Sequence, residues 1–256
     1  MHLAPWRQPP LTEEEANTLF MLLLANDEED APWMVMGDLQ FWSATGFAHS
    51  LRGYAHEQGL PWYVAGMLPI EFDWPGVEER RKLAPDTFVA FVPDHPRTSY
   101  DLTLEGVFPA FVLEVVSPSS SRRDQRDKRI AYELLGAREY ALFTPSTRGI
   151  STLQGHRRGA EGRFERWPVD ATGRLWSDVL GLFLVVDGTL LQAQTPEGRL
   201  LLSPEQEMVA RLRAEEARRQ AEEARQQAEE GRLRAEEENE QLRRELERLR
   251  RSPDDS

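Results

Sequence analysis

The sequence predicts an α/β or α+β domain built around one mixed sheet and followed by a long helix. Three observations carry this. The runs TFVAFV at 87–92 and FVLEVV at 111–116 are dense in Val and Phe, as strands buried on both faces are. Helical and strand-like stretches follow one another in the order helix, several strands, helix, strand, which suits one mixed sheet flanked by helices. Residues 203–251 then contain no aromatic residue, a single Gly and one Pro, and are rich in Ala, Glu, Arg and Gln, the composition of a long helix.

Thr12 with Glu15 three residues on is a capping box that opens a helix over 12–25. Residues 43–58 read as a second helix. WYVAGMLPIEF at 62–72 reads as strand, as do the two Val/Phe runs already quoted. Ser121, with Asp124 three residues on, resembles another capping box and starts a helix of about 15 residues that stops at Gly136. EYALFT at 139–144 is a further strand. A Gly- and Arg-rich stretch of hairpins fills 146–175, and GLFLVVD at 181–187 is strand again. This places one domain over 1–200 and a separate helix over 201–256.

In that helix Ser203 reads as the N-cap and Pro204 as the first helical residue. Ala214, Ala217, Ala221, Ala224, Ala228, Gly231 and Ala235 alternate by three and four, as the seam of a coiled coil does. Asn239, Leu242, Leu246 and Leu249 continue the alternation after a four-residue step, a stutter. The Ala seam buries little area and the Leu end more. Two readings follow: self-association through this tail as a coiled coil, or a single solvated helix.

The 256 residues carry a net charge of −13, which argues against a general nucleic-acid coat protein. The charge is unevenly spread. Residues 120–170 hold eleven Lys plus Arg against seven acids, a basic island on an acidic chain. There is no cysteine, so no disulfide, thiolate metal site or thiol nucleophile. The N-terminus lacks a basic start and a long apolar run, and LFMLLLA at 19–25 is too short to span a bilayer. A cytoplasmic protein without a membrane partner is the expectation. The five His show no metal-ligand spacing, and no phosphate loop, dinucleotide fingerprint or nucleophile elbow is present.

Glu114 is an acid inside an apolar strand, and isolated buried carboxylates are costly. Asp86 follows Pro85 at the start of the preceding Val/Phe strand. Lys128 is one of only two lysines, the other being Lys82, beside 29 arginines. On a helix from about 121, Asp124, Lys128 and Tyr132 share one face, and Ile130, Leu134 and Leu135 form the packing face. Two carboxylates with an ammonium can bind a cation through oxygens and steady an attacking water. The structural alternatives are a core Arg partner for Glu114, a turn role for Asp86 and a surface position for Lys128. The basic runs 122–129 and 157–166 either meet phosphates or form a solvated face.

LAPDTFVAF at 83–91 and PAFVLEVVSPSSSRRDQRDKRIAYELLGAREYALFTP at 109–145 resemble the PD-(D/E)XK restriction-endonuclease-like superfamily, and more closely its bacterial "Uma-two" group of endonucleases. The likeness is strong through 83–145 and looser over about 35–200. It implies an α/β fold with a restriction-endonuclease-like mixed central sheet flanked by helices, followed by a C-terminal coiled-coil helix. It further implies Asp86 and Glu114 as ligands of Mg (or Mn), with the Val115 carbonyl as a third protein ligand. The motif's lysine is replaced by Val116 and supplied instead by Lys128 from the next helix. Ala110 and Thr144 depart from the family at positions often held by Asp. An additional upstream acid is expected, with Asp38, Glu57 and Glu71 as candidates. The function so implied is a metal-dependent endonuclease that hydrolyses DNA phosphodiester bonds and self-associates through its tail. The alternative is a catalytically silent nuclease-fold protein that acts as a DNA-binding or coiled-coil interaction module.

Overall fold

The computed structural model describes residues 11–29, 37–73, 78, 80–116 and 122–251. Contacts divide the chain into two units, Met1–Pro204 and Glu205–Ser256.

The first unit opens with α1 (Glu13–Glu29) and α2 (Asp38–Gln58), then β1 (Tyr63–Gly66), β2 (Ile70–Phe72), β3 (Arg81–Leu83) and β4 (Thr87–Ala90). β5 (Tyr100–Asp101) and the one-turn α3 (Leu102–Glu105) precede β6 (Phe111–Val115), α4 (Arg122–Leu135) and β7 (Glu139–Thr144). After them come β8 (Thr152–Arg158), β9 (Phe164–Arg166), β10 (Leu175–Ser177), β11 (Leu182–Asp187), β12 (Leu190–Gln194) and β13 (Leu200–Leu201). The main sheet has the order β1-β4-β6-β7-β8-β9. Only β6 and β7 are parallel in it, joined across α4, and the other neighbours are antiparallel. β10-β11-β12-β13 form a second sheet and β3-β2-β5 a third.

Both faces of the main sheet are covered, which explains why β4 and β6 are buried at every position. Phe111, Leu113, Val115, Ala141 and Phe143 face a core shared with α2 and the second sheet, including Phe47, Leu51, Leu182 and Leu184. Val112 and Phe88 face the opposite core, with Leu19 of α1, Tyr132 and Leu135 of α4, and Tyr140 of β7. On the first face, Gly155 of β8 lies against Trp167. A Cβ built there would stand 2.5 Å from Trp167 Cε3, so the contact admits only glycine.

The α1 capping box forms as read: Thr12 N donates to Glu15 Oε2 at 2.9 Å and Glu15 N to Thr12 Oγ1 at 3.2 Å. α4 ends at Gly136, whose φ of 108° stops the helix. The guanidinium of Arg158 donates to the carbonyls of Glu133, Ala137 and Gly162, satisfying acceptors at that end of α4. Ser121, expected to start this helix, lies outside the described residues.

Three expectations are corrected. The stretch 62–72 is two strands in different sheets, because the chain turns through Met67 (φ 50°) and Pro69 between them. α2 starts at Asp38, five residues before the helix read from 43. Tyr132, grouped with Lys128 on the face opposite the packing residues, is itself wholly buried, as the sheet wraps the C-terminal half of α4.

The second unit is α5 (Pro204–Arg251). Arg–Glu pairs three or four residues apart line it, such as Arg232 with Glu229 at 2.7 Å and Glu236 at 3.1 Å. Each such pair stabilises a helix by about 0.2–0.5 kcal/mol. Leu242 and Leu246 are exposed.

Glu139 opens β7 on the face turned toward the second sheet. Ser177 Oγ donates to its Oε2, and Asp178 N and Val179 N donate to its Oε1 at 2.7 and 3.2 Å. Burial outweighs these donors and pushes its pKa up to about 7 from the usual 4.5. The folded state therefore binds this proton more tightly than the unfolded chain. The resulting stability is fully present below pH 4.5 and is lost as pH rises through about 7. Denaturant unfolding between pH 4.5 and 7 should show Glu139 contributing a loss of about 3 kcal/mol. Glu139→Gln should flatten that slope, and an unchanged slope in the variant would refute the assignment.

Candidate active site

The register of the sheet brings the acids together. Thr87 pairs with Leu113 and Phe88 with Val112, antiparallel. Extending that register by one residue sets Asp86 opposite Glu114, on the face that α4 covers. The chain thus places two acids, 28 positions apart in sequence, at matched positions of neighbouring strands. Asp86 Oδ2 accepts the Val115 backbone N–H at 2.6 Å, where the β4–β6 ladder ends. A carboxylate takes the place of a strand carbonyl there.

Glu114 is held on both oxygens. Tyr132 Oη donates to Oε1 at 2.5 Å, and Lys128 Nζ lies 3.3 Å from Oε2. The Lys128 and Glu114 side chains are only 18% and 8% exposed, so this pair is shielded from solvent and weakly screened. Burial first, then the charge of Glu114, holds the Tyr132 phenol far above its ordinary pKa. Tyr132 is therefore a neutral donor, with Asp86 and Tyr140 close enough to push the same way. Lys128 and Tyr132 sit one turn apart on α4, the spacing that lets one helix face grip one carboxylate from two sides.

Gln40, which sequence reasoning missed, joins the site from α2. Its Nε2 donates to the Val115 carbonyl at 2.9 Å, and its Oε1 accepts the Gly37 N–H at 3.2 Å, which caps α2. A backbone donor on one side and a backbone acceptor on the other fix the orientation of the amide. No charge pattern marks Gln40 in the sequence; only the 75-residue contact reveals it.

The candidate upstream acids are placed apart from one another. Glu57 pairs with Arg199 at 2.9 Å. Glu71, in the third sheet, pairs with Lys82 at 3.1 Å and Arg80 at 3.4 Å, which hold its pKa down. Asp38 is exposed in the first turn of α2, two residues before Gln40.

Among the described residues no cluster of three or more His, Cys, Asp or Glu is arranged to hold a metal. The donors present are the carboxylates of Asp86 and Glu114 and the carbonyl of Val115, all hard oxygens. One or two carboxylates with water suffice for Mg²⁺, so the set fits such an ion. Lys128 acts as the resident countercharge on Glu114. No helix among the described residues is long and apolar enough to cross a membrane.

A mixed sheet with helices on both faces and paired acids on adjacent strands is the architecture expected of a restriction-endonuclease-like fold. The chain belongs to the Uma2 family, described as "Putative restriction endonuclease", whose model matches residues 32–236. Among solved structures it is similar to a "putative nuclease belonging to DUF820 from Anabaena variabilis", at 13% identity and a TM-score of 0.40, over 57% of this chain and 75% of that one. No curated protein matches it.

Tyr132→Phe removes one donor from a buried carboxylate and should lower stability by about 1–3 kcal/mol. Urea unfolding checks this; an unchanged midpoint would mean that the Oε1 contact contributes nothing.

Proposed function

We propose that this chain is a divalent-metal-dependent endonuclease that hydrolyses DNA phosphodiester bonds at the Asp86–Glu114–Lys128 site. The observation that carries the reading is the meeting of the two acids on one sheet face with Lys128 Nζ 3.3 Å from Glu114. Membership in a restriction-endonuclease family supports the substrate class.

In this reading Asp86, Glu114 and the Val115 carbonyl hold the cation, Mg²⁺ or Mn²⁺. Bound there, the ion would lower the pKa of a water and neutralise charge that develops on phosphorus oxygens. Tyr132 holds Glu114 Oε1, which leaves Oε2 as the oxygen shared with Lys128. Lys128 supplies an ammonium that can orient the attacking water and stabilise the negative transition state. Gln40 fixes the Val115 carbonyl, so the backbone donor does not swing away. Pre-set positions of this kind lower the reorganisation needed at the moment of reaction.

Self-association through α5 is part of the proposal. Leu242 and Leu246 lie exposed on a helix of 48 residues, and burying them against a second copy would relieve that exposure. Two copies joined in this way could present two sites to one duplex.

Supercoiled plasmid with Mg²⁺ or Mn²⁺ should be nicked or linearised by the native chain. Asp86→Asn, Glu114→Gln and Lys128→Ala should each lower the rate at least 100-fold, in line with the loss of a key transition-state group. Cleavage that persists unchanged in all three variants, or that is absent from the native chain, would overturn the reading. For the tail, sedimentation should give a multiple of the 29.4 kDa chain mass, reduced to one chain by Leu242→Glu with Leu246→Glu. A single-chain mass for the native protein would contradict self-association.

A further inference from the structure

The two basic runs of the sequence meet on one surface beside the candidate active site. On the α4-covered face of the sheet, Val112, Tyr140, His156 and Arg166 form one cross-strand row from β6 to β9. The neighbouring row is Glu114, Leu142 and Gln154. The second row begins at the proposed catalytic carboxylate; the first ends in an exposed arginine.

α4 brings a second arginine to the same place. The Glu133 carboxylate accepts the Phe164 N–H at 3.1 Å, which docks α4 over β9. α4 links the parallel strands β6 and β7, so it runs against them. β9 runs with β7, because β8 is antiparallel to both. Stepping back along α4 from Glu133 to Arg129 covers about 6 Å. Stepping forward along β9 from Phe164 to Arg166 covers about 6.6 Å in the same direction. Arg129 and Arg166 therefore face each other across His156. The imidazole registers both: burial, then Arg129, and more weakly Arg166, hold its pKa below the ordinary value, while Glu133 opposes them.

The surroundings favour an anion. Among the described residues neither guanidinium has a hydrogen bond or ion pair with an acid, although the chain carries a net −13 and nearby Arg163 pairs with Glu15 and Glu133. His156 Nδ1 is buried without a hydrogen-bond partner. Exposed Gln154 lies between this pair and Glu114. The row crosses β6 and β7 at their second residues, Val112 and Tyr140, two residues before the row of Glu114 and Leu142. From β6 to β9 is three strand spacings, about 14 Å.

We propose that Arg129 and Arg166, flanking His156, form a docking site for the phosphodiester backbone of the nucleic acid, a few nucleotides from the bond presented to Asp86, Glu114 and Lys128. The identity of the occupant rests on the nuclease reading; the anion site itself does not. It gives the substrate a direction across the sheet, from β6 outward over β8 and β9. It also explains how an acidic protein can engage DNA, through a local contact rather than an overall basic charge.

The test is binding rather than cleavage. Fluorescence anisotropy of a labelled duplex oligonucleotide is measured in EDTA over a salt series, for the native chain, Arg129→Ala/Arg166→Ala, Arg129→Lys/Arg166→Lys and the exposed control Arg148→Ala. The double alanine variant should bind at least tenfold more weakly. Its plot of log affinity against log salt should be shallower by about one for each arginine removed. The double lysine variant should keep the native slope, and Arg148→Ala should match the native chain. Native binding and slope in the double alanine variant, or no binding by the native chain, would overturn the site. Plasmid cleavage with Glu114→Gln separates the two claims. Arginine-dependent binding without cleavage sinks the nuclease reading alone, and Glu114-dependent cleavage with arginine-independent binding sinks the docking site alone.

Discussion

A carboxylate inside an apolar strand must be compensated or it will not stay ionised, and the centre of this molecule is arranged around that requirement at Glu114. The compensation comes from α4. Tyr132 takes one oxygen and Lys128 the other, and both reach Glu114 because they stand one helical turn apart. This demands that α4 lie closely on the sheet, which in turn needs Leu134, Leu135 and Ala131 buried against β6 and β7. Arg158, bonded to carbonyls at the end of α4, and Glu133, bonded to β9, pin the far half of the same helix. Packing and electrostatics are therefore the same contacts seen from two sides.

Asp86 enters through strand register rather than through a direct bond to Glu114. Its carboxylate ends the β4–β6 ladder by accepting the Val115 N–H, while Gln40 holds the carbonyl of the same residue. One backbone unit, that of Val115, is thus gripped by side chains on two sides. An isolated buried ion pair is weak evidence for stability, since its desolvation cost rivals its attraction.

Much of this was legible from local pattern. β7 coincides with EYALFT, and α4 ends at the glycine expected to end it, because apolar density and a C-terminal Gly are local signals. Residue types and a family resemblance point to Asp86, Glu114 and Lys128 together, and the fold sets Asp86 opposite Glu114 in register with Lys128 Nζ 3.3 Å from Glu114. Their roles are a separate, chemical matter. What escaped the sequence depended on distant contacts. Gln40 looks like any polar helix residue until Val115 is beside it. Tyr132 reads as one more residue of the Lys128 face until the sheet closes over it. The break at Met67 hides within an apolar run, and the second sheet was seen only at its strongest strand, β11, since β10 and β13 are short and β12 carries two glutamines among its five residues.

If Asp86 and Glu114 form a cation site of hard oxygens with Lys128 as its resident countercharge, a divalent ion should compete with Lys128 for it. The most direct measurement is Mn²⁺ titration followed by electron paramagnetic resonance of the free ion. The native chain should bind Mn²⁺ at one site, Asp86→Asn and Glu114→Gln should lose it, and Lys128→Ala should bind more tightly because a competing cation is gone. The same affinity in all four proteins, or no binding by the native chain, would contradict the account.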